Sequence, residues 1–492
     1  MIRIFSTILF ICIALSISAQ QQQTLTLDLE RTVQLANDSS LQAFRAQNMY
    51  LRNYWQYRTF RAGRLPSIDL RMTPVSLNRN LIRRYDSELD IDVYRRQQSL
   101  WSQGGISVRQ NFDLTGGVFF MDTELNYLRN FGEHTRSQFS STPFRIGYMQ
   151  NLIGFNQFRW ERRIEPIRFQ RAKQELIANL EETAETAARY FFALAMAQSE
   201  YELARENINN TERMYQVGQE RQRIAAIGQT DLLTLRLERL NARNQLQRSE
   251  MQRNRAMSAL ASFLNIDPNT RITIILPDYP EAFLISVEEA VEHARQNNPR
   301  YLESQQQLLE SQRELDRRRR EAQFNASITA SVGFNQVSES FMGAFRRPLQ
   351  QDMVGVTLSV PLVDWGVRRG RYNMARNDLN IVELTTQQNE NRLEEDIIMT
   401  VGDFLVQQQI ILSTIEAVEL ARITYEQTQE QFVIGTVDIN ALMLSANRRQ
   451  TAQQNYIRSL QDYWQSYFRI RRLTLFDFKE NRPIEVDFDR IR

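Results

Sequence analysis

The sequence is poor in the residues on which most catalytic and metal chemistry depends. Its 492 residues include one cysteine, two histidines and, among 60 basic side chains, only two lysines, Lys173 and Lys479. Cys12 lies in the N-terminal leader, so the chain beyond it has no disulfide, thiolate metal site or cysteine nucleophile. His134 and His293 are too few for the usual metal-ligand sets and histidine bases. No P-loop, glycine-rich dinucleotide turn, nucleophile elbow or metal-ligand spacing occurs. The chain is therefore not read as an enzyme, and no cofactor or metal is expected. Its paired carboxylates read as solvated helix faces. A formal charge of +2 is too even for a nucleic-acid binder. With 42% hydrophobic and 24% charged residues, a disordered polyelectrolyte is excluded as well.

What is present begins with a leader. Arg3, an apolar run from Ile4 to Ile17 and a small-residue exit at Ser18-Ala19 form a secretory signal peptide over 1–19. The run falls short of the roughly 20 residues a spanning helix needs. Beyond it no apolar stretch reads as a membrane helix; the densest is Tyr190 to Ala197. If the mature protein enters a membrane, it does so as strands.

The rest of the chain is two copies of one pattern. Leu27-Asp-Leu-Glu-Arg-Thr-Val-Gln-Leu-Ala36 aligns without gaps on Ile285-Ser-Val-Glu-Glu-Ala-Val-Glu-His-Ala294, with Asp28 and Ser286 as helix N-caps. Leu203-Ala-Arg205 matches Leu420-Ala-Arg422, and Ile227-Gly-Gln-Thr-Asp-Leu232 matches Ile434-Gly-Thr-Val-Asp-Ile439. These matches divide the chain into a first repeat over 20–268, a linker over 269–284, a second repeat over 285–475 and a tail over 476–492. Each repeat reads as a helix of roughly 36 residues (Asp28 to Arg64; Val287 to Gln323), alternating strands, a helix of about 70 ending at Gly228 or Gly435, and a final helix of about 35–40. At about 1.5 Å per residue the long helices span ~100 Å, so coiled-coil-like packing is expected in place of a globular core.

The strands fall within 65–151 and 324–361. Ile68 and Leu70, then Phe144, Ile146 and Tyr148, alternate with polar neighbours; so do Ile328 and Val332, and Val356 and Leu358. Each run is about 8–11 residues, the length of a tilted strand crossing an outer membrane. Four such strands per chain cannot close a barrel, and lipid tolerates no open sheet edge. Three copies would supply twelve, so a homotrimer is expected. The fold class is thus an α+β membrane protein: two tandem helix-strand-strand-helix repeats that as a trimer build a 12-stranded outer-membrane β-barrel continuous with a long periplasmic α-helical barrel. The segment from Pro74 to Pro143 is longer than its counterpart in the second repeat. It reads as an extension of the barrel above the membrane or an extracellular hairpin, in preference to one more strand pair per chain in the wall.

Arginines cluster near the strand ends. Arg317, Arg318, Arg319 and Arg320 precede Phe324, and Arg368 and Arg369 follow Pro361. They read either as solvated helix faces or as a belt contacting phospholipid headgroups, with outer-membrane lipid as partner. A periplasmic coiled-coil structural protein without channel activity is the rival reading. Long helices alone satisfy it, but lipid-length strands at the same place in both repeats do not follow from it.

These features together resemble the TolC-like outer-membrane channel-tunnel family, over nearly all of the mature chain. The resemblance rests on the tandem order, the Leu29-Glu30 and Val287-Glu288 openings, Leu65-Pro66-Ser67 at strand entry, and Gln150-Asn-Leu152 and Val360-Pro-Leu362 at strand exits. The segment Tyr463-Trp464 to Asp477 is similar to Bacteroidetes-type members. The resemblance implies a trimeric channel that passively exports small molecules or secreted polypeptides from a tripartite efflux or type I secretion assembly. Its implied partners are a periplasmic adaptor (membrane fusion) protein and an inner-membrane pump of RND, ABC or MFS type. It also implies that the turns at Gly228 and Asp231, and at Gly435, Thr436 and Asp438, are the adaptor-docking tip of the tunnel.

Overall fold

The computed structural model describes residues 24–88, 90–131, 135–224, 227–268, 270–279 and 282–491. The leader with Cys12, and His134, lie outside the described residues. The chain divides into two compact units, each drawn from both repeats: Met1–Leu51, Ala172–Tyr301 and Asn391–Arg492 form one, Arg52–Arg171 and Leu302–Glu390 the other.

In chain order the first repeat contains β1 (Thr24–Leu27), α1 (Leu29–Ser39), α2 (Leu41–Ala62), β2 (Ser67–Asp86), β3 (Ile91–Phe112), β4 (Gly117–Phe131), β5 (Arg136–Asn151), α3 (Gln157–Arg223) and α4 (Gln229–Phe263). Then come β6 (Arg271–Ile274), α5 (Val287–Asn297), α6 (Pro299–Glu321), β7 (Asn325–Ser338), β8 (Leu349–Ser359), α7 (Val367–Ile434), α8 (Ile439–Thr474), β9 (Phe476–Asp477), β10 (Arg482–Pro483) and α9 (Phe488–Ile491). Helices α3 and α7 have 67 and 68 residues, and α3 continues through Pro166. In contrast, the helix expected to open each repeat is broken in two, at Ser40 and at Asn298. Both residues are extended and buried, with ψ of 147° and 128°. Pro299 explains the second break, since proline disfavours the helical region at the residue before it. In the first, Ser40 turns its hydroxyl to accept from the Ala43 amide at 3.1 Å and so starts α2.

The first unit is a helical bundle closed by residues from all over the chain. Phe191, Phe192, Phe404, Ile457 and Leu460 are fully buried, and the small Ala184, Ala188 and Ala195 let helices approach closely. The dense run from Tyr190 to Ala197 is thus core. One 18-residue window of α7 is by length and composition apolar enough to cross a membrane, where the sequence reading found none beyond the leader. In the bundle Ile397, Val401, Phe404 and Ile411 pack inward from this helix. Strands β1 and β6 pair in parallel, and Gln198 clamps β6: its amide donates to the Ile272 carbonyl at 2.8 Å and its oxygen accepts from the Ile274 amide at 3.0 Å. His293 stacks on Phe476 at 3.9 Å. In the tail, Phe488 opens α9 with its ring 5.3 Å from that of Tyr50.

The second unit holds one antiparallel sheet in the order β2-β3-β4-β5-β7-β8. It has six strands where the sequence reading has four, because β3 and β4 join the sheet instead of leaving it. Pro74 and Pro143, which bound the long segment in the sequence, lie at register shifts inside β2 and β5, between Thr73 and Ser76 and between Ser141 and Phe144. A bulge is one of the few places where a strand accommodates proline, because no ladder amide is needed there.

Candidate functional sites: the strand wall and the helix reversals

The register assigns each strand residue to a face, since directly opposed residues point the same way and neighbours in sequence point oppositely. One row runs Ile68–Val108–Met121–Ile146–Val332 across five strands. The residues read from the sequence all belong to its face: Ile68 and Leu70 on β2, Phe144, Ile146 and Tyr148 on β5, Ile328 and Val332 on β7, Val356 and Leu358 on β8. Even on interior strands these side chains are open, with Ile106 at 44%, Ile146 at 48% and Val332 at 51% exposure.

The other face is polar, and several of its side chains pair with one another. Arg145 donates to Asp122 at 2.9 Å, and the Gln103 amide donates to Glu124 at 2.8 Å. Asn126 donates to the same Glu124 oxygen at 2.6 Å. A soluble sheet buries its apolar face and shows water its polar one; this sheet does the reverse.

Sequence reasoning overlooked Leu100, Ile106 and Val108 on β3 as members of this apolar face, whereas the alternation of Phe119 and Met121 on β4 is visible in the sequence within the segment read as an extension or hairpin. The signal was present as even spacing in β3, but the prolines bracketed the region as an insertion.

In the other unit the two helix reversals meet over a common cluster. Met214, Leu235, Tyr425, Phe432, Ile439 and Leu442 are buried together, with Ile227 and Val437 against them. Arg221 crosses from α3 and donates to the Phe432 carbonyl at 3.1 Å, a contact the sequence did not signal. The two turns differ in detail. Gly435 has φ +90° and closes α7, with its amide and that of Thr436 both donating to the Gln431 carbonyl at 2.9 Å, after the manner of a Schellman cap. Asp438 is the N-cap of α8 and accepts from the Ala441 amide at 2.9 Å. In the first repeat Gly228 itself is the N-cap, with φ −78°, and Asp231 reaches back to accept from its amide at 3.1 Å. Gly228, Asp231, Gly435, Thr436 and Asp438 are all exposed.

The arginines near the strands separate by their partners. Arg317 pairs with Glu314 at 2.7 Å, Arg318 with Glu314 and Glu321 at 2.8 Å each, Arg320 with Asp316 at 3.0 Å and Arg368 with Asp364 at 3.5 Å. Arg319 and Arg369 are exposed, and no ion pair is recorded for either among the described residues. Beside Arg368, Leu362 and Trp365 are 89% and 95% exposed, and Trp365 has φ +55°, a conformation costly for a bulky side chain. No group of acidic, histidine or cysteine residues among the described ones is arranged to hold a metal.

A sheet with one exposed apolar face and one polar face has the alternation expected of strands in an outer-membrane barrel. Comparison with known proteins agrees. The family of outer membrane efflux proteins matches residues 290–474. The crystal structure of the Campylobacter jejuni CmeC outer membrane channel is similar with a TM-score of 0.66, at 14% identity over 94% of this chain and 88% of that one. The open state of the Neisseria gonorrhoeae MtrE outer membrane channel has a TM-score of 0.61, at 13% identity over 93% and 91% of the two chains. The outer membrane protein VceC from Vibrio cholerae has a TM-score of 0.58, at 13% identity over 91% and 95%. At these identities the likeness is one of fold. No curated protein matches the sequence. The family match covers most of the second repeat, and the fold is the one these outer-membrane channel structures share.

Proposed function

We propose that the chain is one subunit of a trimeric channel that passively exports small molecules or secreted polypeptides handed to it by an inner-membrane pump through a periplasmic adaptor. The observation that carries this reading is the reversed polarity of the sheet. Its apolar face suits hydrocarbon, and its Asp122–Arg145 and Gln103–Glu124 face suits a water-filled lumen. We assign adaptor docking to the turns at Gly228 and Asp231 and at Gly435, Thr436 and Asp438, because they are exposed yet held by a buried cluster. A docking surface on such a support does not have to be ordered on binding.

We narrow the headgroup belt to Arg319 and Arg369, since Arg317, Arg318, Arg320 and Arg368 spend their charge on neighbouring carboxylates. Trp365 and Leu362, a few residues before Arg369 in the chain, would lie near the same depth, as interfacial aromatics do. The test is fractionation followed by planar-bilayer recording. The protein is expected in outer membranes, with ohmic conductance after reconstitution, and a combined Arg319→Gln and Arg369→Gln variant is expected to insert less efficiently with unchanged helix content. A soluble, non-conducting wild-type protein would refute the channel, and normal insertion of the double variant would refute the belt.

A further inference from the structure

We propose that β3 and β4 are strands of the membrane wall itself, so that each chain supplies six strands and three chains close an eighteen-stranded barrel. This rests on the trimeric channel reading above and departs from the twelve strands that the sequence resemblance implies.

The strand order compels the first step. β2 touches β5 only through β3 and β4, which lie between them. If β2 and β5 both cross the bilayer, the two strands hydrogen-bonded between them lie at the same depth. The row Ile68–Val108–Met121–Ile146–Val332 passes through them without a break. A hairpin projecting into water would instead leave β2 next to β5.

Polarity supplies the second step. On β3 and β4 the face shared with Ile68 and Ile146 carries Ile106, Val108, Phe119 and Met121, while Ser107 and Asp122 pair on the opposite face. The register continues this pattern across all six strands, which a water-exposed extension would have no reason to keep.

Closure is the third step. β2, β4 and β7 run one way, and β3, β5 and β8 the other, so the free edges β2 and β8 are antiparallel and a copy of the chain extends the ladder with the correct sense. Six strands are fewer than the roughly eight of the smallest membrane barrels, so one chain does not seal itself. Barrels of about 16–18 strands enclose an aqueous channel.

The chain beyond the leader contains no cysteine, so introduced thiols report cleanly. In outer membranes holding the full-length protein, Ile106→Cys and Met121→Cys are expected to lose labelling by a charged maleimide, as Ile146→Cys does, and to regain it after denaturation in SDS. Ser107→Cys, facing the lumen, is expected to label. If Ile106→Cys and Met121→Cys label while Ile146→Cys stays protected, the eighteen-stranded wall is wrong and the channel reading survives. If all three label freely, the channel reading itself fails. Leu70→Cys is then combined in turn with Val354→Cys, Val356→Cys and Leu358→Cys and oxidised with copper phenanthroline. A covalent ladder that stops at three chains supports closure through β2 and β8; no ladder in any combination, or one ending at two, overturns it.

Discussion

At the scale of single residues, the two repeats place glycine at equivalent turns for different reasons. Gly435 occupies the left-handed region, and a Cβ there would lie 2.8 Å from the Arg221 guanidinium. Gly228 has an ordinary extended backbone, and a Cβ would meet only Asp231, at 3.7 Å. The same substitution should therefore act oppositely. Gly435→Ser is expected to destabilise its turn by about 1–2 kcal/mol, the cost of holding a non-glycine residue left-handed. Gly228→Ser should be neutral or stabilise by a few tenths of a kcal/mol, because serine is the better N-cap. Hydrogen exchange at 431–438 and 228–232 measures both, and equal protection losses would refute the distinction. The sequence motif Gly-x-x-Asp showed where the chain reverses. It did not show which glycine is conformationally required, because that depends on whether the glycine closes the preceding helix or opens the next.

At the scale of elements, the end of α8 is fixed by charge. Arg471 donates to Glu181 of α3 at 2.8 Å and pairs with Asp477 at 3.0 Å, while the Tyr467 hydroxyl donates to Asp477 at 2.6 Å. Burial pushes the Glu181 carboxyl above the usual glutamate value of 4.5, and Arg471 only partly offsets this. The group therefore binds its proton more tightly folded than unfolded. Its contribution to stability is full below 4.5 and is lost as pH rises through the folded value. Wild-type protein should lose melting temperature relative to Glu181→Gln as pH rises above 4.5, and parallel profiles would remove the linkage. Arg471→Ala, which leaves Glu181 buried without its cation, should cost about 3–5 kcal/mol.

The Arg471–Glu181 pair was not legible in the sequence, since the two residues are 290 apart in the chain. Element type was more legible than element ends. Periodicity predicts the long helices and the strands of the second repeat, but Ser40 breaks a helix without a proline to announce it. Pro74 and Pro143 misled in the opposite sense, because a bulge absorbs each within a strand. The strand faces were readable wherever alternation was unbroken, and missed on β3, which lies inside the segment between Pro74 and Pro143.

At the scale of the whole molecule, the sequence implied the need for sister chains through open sheet edges, and the helical unit adds a second, independent reason. Met399, Val406 and Leu420 on α7 are all exposed and lie at multiples of seven residues, one position of a heptad, while Ile397, Val401, Phe404 and Ile411 of the same helix fill the core. A helix apolar on two sides has one side for its own bundle and one for a neighbour. In the trimer we propose, this outer stripe is the contact between subunits. Burying each such side chain contributes roughly 1.5–3 kcal/mol, and a carboxylate in its place would be desolvated without a partner. Val406→Glu combined with Leu420→Glu should therefore dissociate detergent-solubilised trimers to monomers, read as a threefold fall in protein mass by light scattering. Helix content should be preserved, because neither residue belongs to the buried core. A double variant that keeps the wild-type mass would show that this stripe faces solvent in the assembly, leaving the strand edges alone to hold the subunits together.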